Sequence, residues 1–465
     1  MSSANRMSPP ELRAAVSLAS IFGLRMLGMF LILPVFAIYA EGLPGGDNLT
    51  LVGVAIGVYG LTQAILQIPF GWWSDRYGRK PVIYVGLAIF AGGSFVAALG
   101  THIWIVILGR MLQGAGAISA AVMAMTADLT REQHRTKAMA IIGSTIGATF
   151  ALSLVLSPWF NGVMGVPGIF VMTGVLVLIS IWVVYAIVPD APEHPMPNDA
   201  RGGFSEFLNV LRDTQLARLN YGIFTLHAVL MALFIAVPLE LRAAGLPVDQ
   251  HWHVYLPVML GSFVLMLPAI LRTTRPERLR RVFVGAVAML LVSQLLMPWV
   301  LAGVWTIAAM LLIFFTAFNI LEAALPSLVT KTAPPGAKGV AMGVFSSLQF
   351  LGTFAGAAGG GYLYGHWGDT GVVVFGVVLL GLWLIIARGI HVPAARSTRV
   401  YALPPLAGGQ GDRLAVRLRA LPGVYEARVV CSERHAYVTV DSAGFDEENV
   451  VKLIAGDQKP VMRDG

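Results

Sequence analysis

The sequence predicts an all-α polytopic membrane protein with twelve transmembrane helices in two halves of six, followed by a small C-terminal α+β domain of ferredoxin-like order (βαββαβ). Three observations predict it. Only 12% of the 465 residues are Asp, Glu, Lys or Arg and 56% are apolar, whereas a soluble domain is about one quarter charged. Apolar runs of about 20 residues, the length a helix needs to cross a core about 30 Å thick, recur along most of the chain. Lys and Arg fall almost entirely in alternate loops, as the positive-inside rule requires.

Helices are the reading because lipid cannot hydrogen-bond an exposed backbone, and the runs lack the alternation of a barrel strand. The first six spans fall near residues 15–40, 51–72, 81–99, 103–127, 138–160 and 167–188. A polar segment rich in Pro and Gly follows, as a linker should. The second six fall near 219–240, 252–271, 282–300, 304–329, 340–364 and 371–391. The expected domains are therefore an N-terminal half at 1–188, a linker at 189–218, a C-terminal half at 219–391 and a final domain at 392–465.

Arg76, Arg79, Lys80, Arg131, Lys137 and Lys338 are among the many basic residues on one side, while Arg242 is the only Lys or Arg on the other. Both termini, the linker and the final domain are thus expected in the cytoplasm. The same asymmetry accounts for the net charge of +7, so no nucleic-acid partner is inferred. The expected partners are a lipid bilayer, a small molecule and protons, with the chain a monomer. The first span lacks a small-residue cleavage site and reads as retained. An offset of 203 residues sets Lys137-Ala138-Met139-Ala140 beside Val340-Ala341-Met342-Gly343, each at the start of the fifth helix of its half. Such a parallel repeat frames a central cavity.

After Pro393 the composition is that of a soluble domain. Strands are expected at 399–404, 424–431 and 437–441, helices at 412–421 and 446–455, and a last strand near 460–462. The lone Cys431 excludes an internal disulfide and any paired-cysteine metal site. With no Gly-x-x-x-x-Gly-Lys-Ser/Thr loop, neither ATP nor metal chemistry has support, and no cofactor is expected. Arg413, Arg417 and Arg419 on the first helix of this domain could bind an anion, acidic lipid or the helical body's own cytoplasmic face, the alternative being a solvated basic helix.

Two motifs carry more. Gly71-Trp72-Trp73-Ser74-Asp75-Arg76-Tyr77-Gly78-Arg79-Lys80 lies between the second and third spans, and Gly109-Arg110-Met111-Leu112-Gln113-Gly114-Ala115-Gly116 lies in the fourth. They resemble the two signatures of the major facilitator superfamily. With Arg25-Met26-Leu27-Gly28 in the first span, Gln349-Phe350-Leu351-Gly352 in the eleventh and the final domain, the whole chain resembles the YajR-type transporters, bacterial inner-membrane members of that superfamily. The resemblance implies a secondary transporter, not an enzyme.

Physically, Gly71 allows close approach to a neighbouring helix, and Gly339 and Gly343 offer a flat stripe where the eleventh helix begins. Asp75 would then meet the positive end of that helix dipole, worth about 0.3–1 kcal/mol, and Arg79 could pair with Asp128. Such contacts would latch the halves on the cytoplasmic side and favour an outward-open state, as the resemblance also implies. Alternatively, Arg76, Arg79 and Lys80 are topology signals only.

Charges inside spans cost about 2.5–3.5 kcal/mol on insertion scales and need a cavity or a partner. Glu322, in the tenth span, is the candidate for binding a coupling proton, the alternative being a carboxylate satisfied by packing. Arg25 and Arg110 could bind an anionic substrate group, tune Glu322 or fix helix packing, and the glycines around Arg110 favour packing. Gln113 and Asn319 are further cavity candidates, and interhelical hydrogen bonding is open for both. His227 reads as a packing histidine more than a titrating one. Ser157-Pro158 stands where family antiporters often carry glycine and proline, and Pro158 can still bend the fifth helix. The expected function is proton-coupled export of small molecules by alternating access. A facilitator or importer of the same fold, and a membrane sensor that signals through the final domain, are the rivals.

Overall fold

The computed structural model describes residues 7–190, 203–271, 276–300, 303–334, 337–391, 396–403, 410–430, 434–441 and 445–456. Helices α1 (Pro9–Phe30), α2 (Leu33–Ala40), α3 (Leu49–Tyr77), α4 (Arg79–Ala98), α5 (Ile103–Ala115), α6 (Ser119–Asp128) and α7 (Glu132–Ala186) precede α8 (Gly203–Arg212). Then come α9 (Thr214–Ala243), α10 (Trp252–Leu271), α11 (Pro276–Val300), α12 (Val304–Thr332) and α13 (Lys338–Ala387). The C-terminal part is β1 (Arg396–Ala402), α14 (Gln410–Arg419), β2 (Val424–Val430), β3 (His435–Asp441) and α15 (Glu447–Gly456).

Among the described residues, ten helical segments are long and apolar enough to cross a membrane, and two of them, Lys137–Ala186 and Lys338–Ala387, are 50 residues long. Unbroken, each would run about 75 Å, more than twice the hydrocarbon thickness. Each is broken by a glycine in positive-φ backbone, Gly165 (φ 68°) and Gly368 (φ 61°), a conformation an L side chain resists. Each therefore makes two passes, giving twelve.

Two expected spans are not single helices. The first is interrupted between α1 and α2, where Pro34 supplies no N–H, the Val35 amide turns to the Ile32 carbonyl at 3.2 Å, and the Leu31 carbonyl so freed accepts from the Ser157 hydroxyl. The fourth breaks at Gly116, where α4 passes so close that a Cβ would lie 2.3 Å from the Gly86 oxygen. The segment between the halves, read as a polar linker, also contains a helix, α8. Phe207, Leu208 and Leu211 recur on it at helical spacing, and Val210 is buried. Asp213 then caps α9, its carboxylate accepting from the Gln215 and Leu216 amides at 2.8 and 2.9 Å.

Inside lipid, burial gives helices no hydrophobic drive to associate, so close backbone approach does the work. On α13, Gly352, Gly356 and Gly360 recur every four residues and face Phe224, Ala228 and Ala232 of α9, also spaced by four. A Cβ at Gly356 would lie 2.0 Å from the Ala228 oxygen.

The C-terminal segment belongs to a separate compact unit. Its sheet has the order β1-β3-β2, both pairs antiparallel. Leu414 and Leu418 of α14 and Val450 and Ile454 of α15 bury with Ala427, Val438 and Val440 against one face. Arg399 donates to Glu447, which holds that carboxyl below the usual carboxylate range. The first strand starts and ends earlier than expected. The strand expected near 460–462, and Cys431, lie outside the described residues.

Gly356→Val is expected to destabilise the helical body by about 1–3 kcal/mol through overpacking, measured as a lower melting midpoint in detergent. Gly147→Ala, where a Cβ meets nothing within 4 Å, should not lower the midpoint, since alanine favours a helix interior over glycine.

Candidate functional site

In the N-terminal half, Arg25, Arg110 and Tyr59 are fully buried. Arg25 on α1 donates to Gln63 on α3 and to the Ser119 hydroxyl on α6 at 3.4 Å. Arg110 on α5 donates to the Ala55 and Ile56 carbonyls of α3 at 3.3 and 3.1 Å and to Gln113 Oε1 at 2.8 Å. Gln113 in turn donates to Ser94 of α4 at 2.8 Å. Both guanidiniums stand over the Tyr59 ring, 5.7 and 5.1 Å from its centre, where the π-face favours a cation. Their hydrogen-bond partners are neutral. Arg110 and Gln113 thus tie three helices together, the packing role, while Arg25 keeps its Nε unpaired.

In the C-terminal half, Glu322 of α12 meets His227 of α9 and Gln349 of α13. Gln349 Nε2 donates to Glu322 Oε1 at 3.4 Å and lies 2.9 Å from His227 Nε2. His227 Nδ1 lies 3.3 Å from the Ile223 carbonyl, so Nδ1 carries the hydrogen and Nε2 accepts from the amide. Glu322 Oε2 is enclosed and has no hydrogen-bond partner. It stands 3.9 Å from His227 Nε2, although 34% of the Glu322 side chain is accessible. One turn away, Asn319 donates to Ser262 of α10 at 3.0 Å. A carboxylate so placed is costly unless a proton or a cation answers it.

Aromatic rings fill the space between the halves. Phe150 of α7 lies 5.0 Å from Phe30 of α1 and 6.4, 6.1 and 5.9 Å from Phe234, Phe315 and Phe318 of α9 and α12. Phe318 also packs on His227, at 5.9 Å. Towards the end of the bundle that carries the Asp75–Lys80 loop, here the basic end, Ala140, Ser144, Ala148 and Leu152 of α7 line an open pocket of about 580 Å³.

At that basic end Arg79 gathers three acceptors. Its Nε donates to Asp128 at 2.9 Å, and its Nη1 donates to Ser74 at 2.8 Å and to Asp75. All of these lie in the N-terminal half. The other half of the expected latch is not assembled. A Cβ on Gly71 would meet Ala120 of α6, at 3.3 Å, and one on Gly339 or Gly343 would meet nothing within 4 Å. Asp75 is 60% exposed and bound by Arg79 instead of capping α13. Among the described residues, hydrogen bonds between the halves towards this end run from Gln67 to the Gly343 carbonyl and the Ser347 hydroxyl, and from Ser347 to the Ala64 carbonyl.

Towards the opposite end the halves press together. Cβ atoms on Gly53 and Gly361 would lie 2.1 and 2.2 Å from the Ala357 and Leu49 oxygens. Arg242 of α9 grips Glu41, beside α2, with two hydrogen bonds of 2.7 Å. Sequence reasoning missed this pair, though its signal was present: Arg242 is the lone basic residue on that side. It also took His227 as packing and quoted Gln349 only as part of a motif.

Residues 18–357 match the family described as the Major Facilitator Superfamily, and residues 402–452 match the YajR YAM domain. The chain belongs to the Major Facilitator Superfamily and is a multi-pass membrane transporter of small molecules, not an enzyme. It is 43% identical to the inner membrane transport protein YajR of Escherichia coli K12 over 94% of this chain and 96% of that one. It is 27% identical to the class D tetracycline resistance protein of Salmonella ordonez, covering 79% and 94% of the two chains. The crystal structure of the human organic anion transporter MFSD10 (TETRAN) shares the fold, with a TM-score of 0.62 at 19% identity over 82% of this chain and all of that one.

Gln113→Leu would strip partners from both Arg110 and Ser94. Leaving a buried polar group unpaired costs about 1–3 kcal/mol, so this variant should melt earlier than wild type.

Proposed function

We propose that this chain is a monomeric, proton-coupled exporter of small molecules in a bacterial inner membrane, working by alternating access with its basic end and both termini in the cytoplasm. The observation that carries this reading is Glu322. It is a carboxylate at mid-body whose Oε2 has no hydrogen-bond partner, beside the aromatic cluster between the halves. A proton or a bound substrate group can answer that charge in turn, which is what exchange requires.

Two further features support it. Close contact towards the Glu41–Arg242 end and unfilled glycine faces at the basic end support the reading of a body open towards the cytoplasm. The face of α7 around Gly143 and Gly147, and the start of α13 around Gly339 and Gly343, are then surfaces that pack only in the opposite state. Gly71, Asp75, Arg79, Asp128 and Gly343 would latch the halves in that state, with Arg79 and Asp128 already joined here. The printed names of the relatives, an inner membrane transport protein and a tetracycline resistance protein, favour an inner-membrane exporter. Arg25, with its unpaired Nε, remains a candidate for a substrate group or for tuning Glu322.

The test is proton release from purified protein in weakly buffered detergent as candidate substrates are added, beginning with tetracycline. Wild type should release about one proton for each molecule bound, while Glu322→Gln binds without release; release retained in the variant would reject Glu322 as the coupling group. Glu41→Cys with Arg242→Cys, in a chain whose Cys431 is replaced by Ser, should be joined by a short cleavable thiol cross-linker. Flux in proteoliposomes should then stop and should return when the linker is cleaved. Flux unaffected by cross-linking would reject this end as a gate.

A further inference from the structure

The helix that carries Gln349 faces two ways. Residues Ser347 and Phe350 of α13 meet the N-terminal half: Ser347 bonds Gln67 and the Ala64 carbonyl, Phe350 stands 6.3 Å from the Tyr59 ring, and a Cβ on Gly60 would lie 2.5 Å from the Phe350 oxygen. Gln349 lies between them in sequence and points the other way, into the C-terminal half, as helical geometry requires. A shift of α3 against α13 therefore acts on the backbone that holds the Gln349 amide.

That amide is wedged between the two groups able to exchange a proton. Its Nε2 caps His227 Nε2 at 2.9 Å and Glu322 Oε1 at 3.4 Å, while Glu322 Oε2 and His227 Nε2 stand 3.9 Å apart, beyond hydrogen-bond range.

We propose that Gln349 is a positioning residue that insulates Glu322 from His227, and that its withdrawal when α13 shifts lets the proton pass from Glu322 to His227. In that step the O–H bond of protonated Glu322 breaks and an N–H bond forms at His227 Nε2. Nδ1 keeps its hydrogen on the Ile223 carbonyl. The products are a carboxylate and an imidazolium in contact, a neutral pair overall. The imidazolium then gives the Nε2 proton to water admitted on the releasing side. Glu322 and His227 stand among uncharged contacts. Elements packed around them contribute Phe318 from α12, the neutral Ser262–Asn319 bond between α10 and α12, and Phe150 from α7. The buried cations Arg25 and Arg110 are engaged by α3, α5 and α6 of the other half.

This inference rests on Glu322 being the coupling group, and the two can fail separately. Nitrogen-15 NMR of histidine-labelled full-length protein in lipid nanodiscs, with no substrate added, reads the His227 tautomer directly, a His227→Gln variant assigning its signal. Wild type should show the neutral Nδ1–H form near neutral pH. Gln349→Leu, and Gln349→Ala should the first fold poorly, should show imidazolium at the same pH, and Gln349→Leu with Glu322→Gln should revert to the neutral form. His227→Gln should slow tetracycline-triggered proton release about tenfold with its stoichiometry intact. A neutral Nδ1–H histidine in both Gln349 variants would overturn the inference while leaving Glu322 in place. Full proton release from Glu322→Gln would instead remove the reading beneath it. A merely structural role for Gln349 would lower the melting midpoint without changing the tautomer.

Discussion

Direct backbone contact through glycine is the interaction on which the helical body depends. Lipid solvates an apolar side chain as well as another helix does, so what joins helices is van der Waals fit and interhelical hydrogen bonding. Helix α13 takes this furthest. One of its faces lays Gly352, Gly356 and Gly360 on α9, and another sets Phe354, Ala357 and Gly361 against the glycines of α3. The first contact builds a half and the second joins the halves, so a single helix carries both kinds of packing.

The charges inside the body follow from the same dryness. Each half solves the cost of an interior charge differently. Arg25 and Arg110 are surrounded by amide, hydroxyl and carbonyl oxygens and by the face of Tyr59, a neutral cage that keeps each cation in place. Glu322 has one amide donor and a neutral imidazole, with one oxygen unanswered. Arg110, with all of its described contacts inside the N-terminal half, is held in place, while Arg25 keeps one nitrogen unpaired. A half-answered charge can change its state, which is why the two sets of residues suit different work.

Polar contacts at the two ends of the body also differ in kind. At the basic end, Arg79 collects Ser74, Asp75 and Asp128 from its own half, so this cluster keeps its shape whatever the other half does. At the far end Glu41 and Arg242 come from opposite halves and remain about 40% exposed. An exposed pair of that kind is worth about 0.2–1 kcal/mol, a small contribution beside the glycine contacts at the same end.

Much of this was legible in the chain itself. The length of the apolar runs and the placement of Lys and Arg determined the number of passes and their grouping into halves, because hydrophobic length and loop charge are local properties. Strand and helix periodicity also gave the order of the five described elements of the C-terminal module, for the same reason. The pairing of Arg79 with Asp128 was also legible, since both stand at helix ends in short loops. What the chain did not reveal was the company of Glu322. His227 and Gln349 reach it from two other helices, and which face a helix turns to its neighbours depends on tilt and rotation, which hydropathy leaves free. The same freedom set Gly71 against Ala120 and left Gly343 uncovered, because which glycine faces meet depends on how the two halves are disposed, and that is decided by tertiary packing.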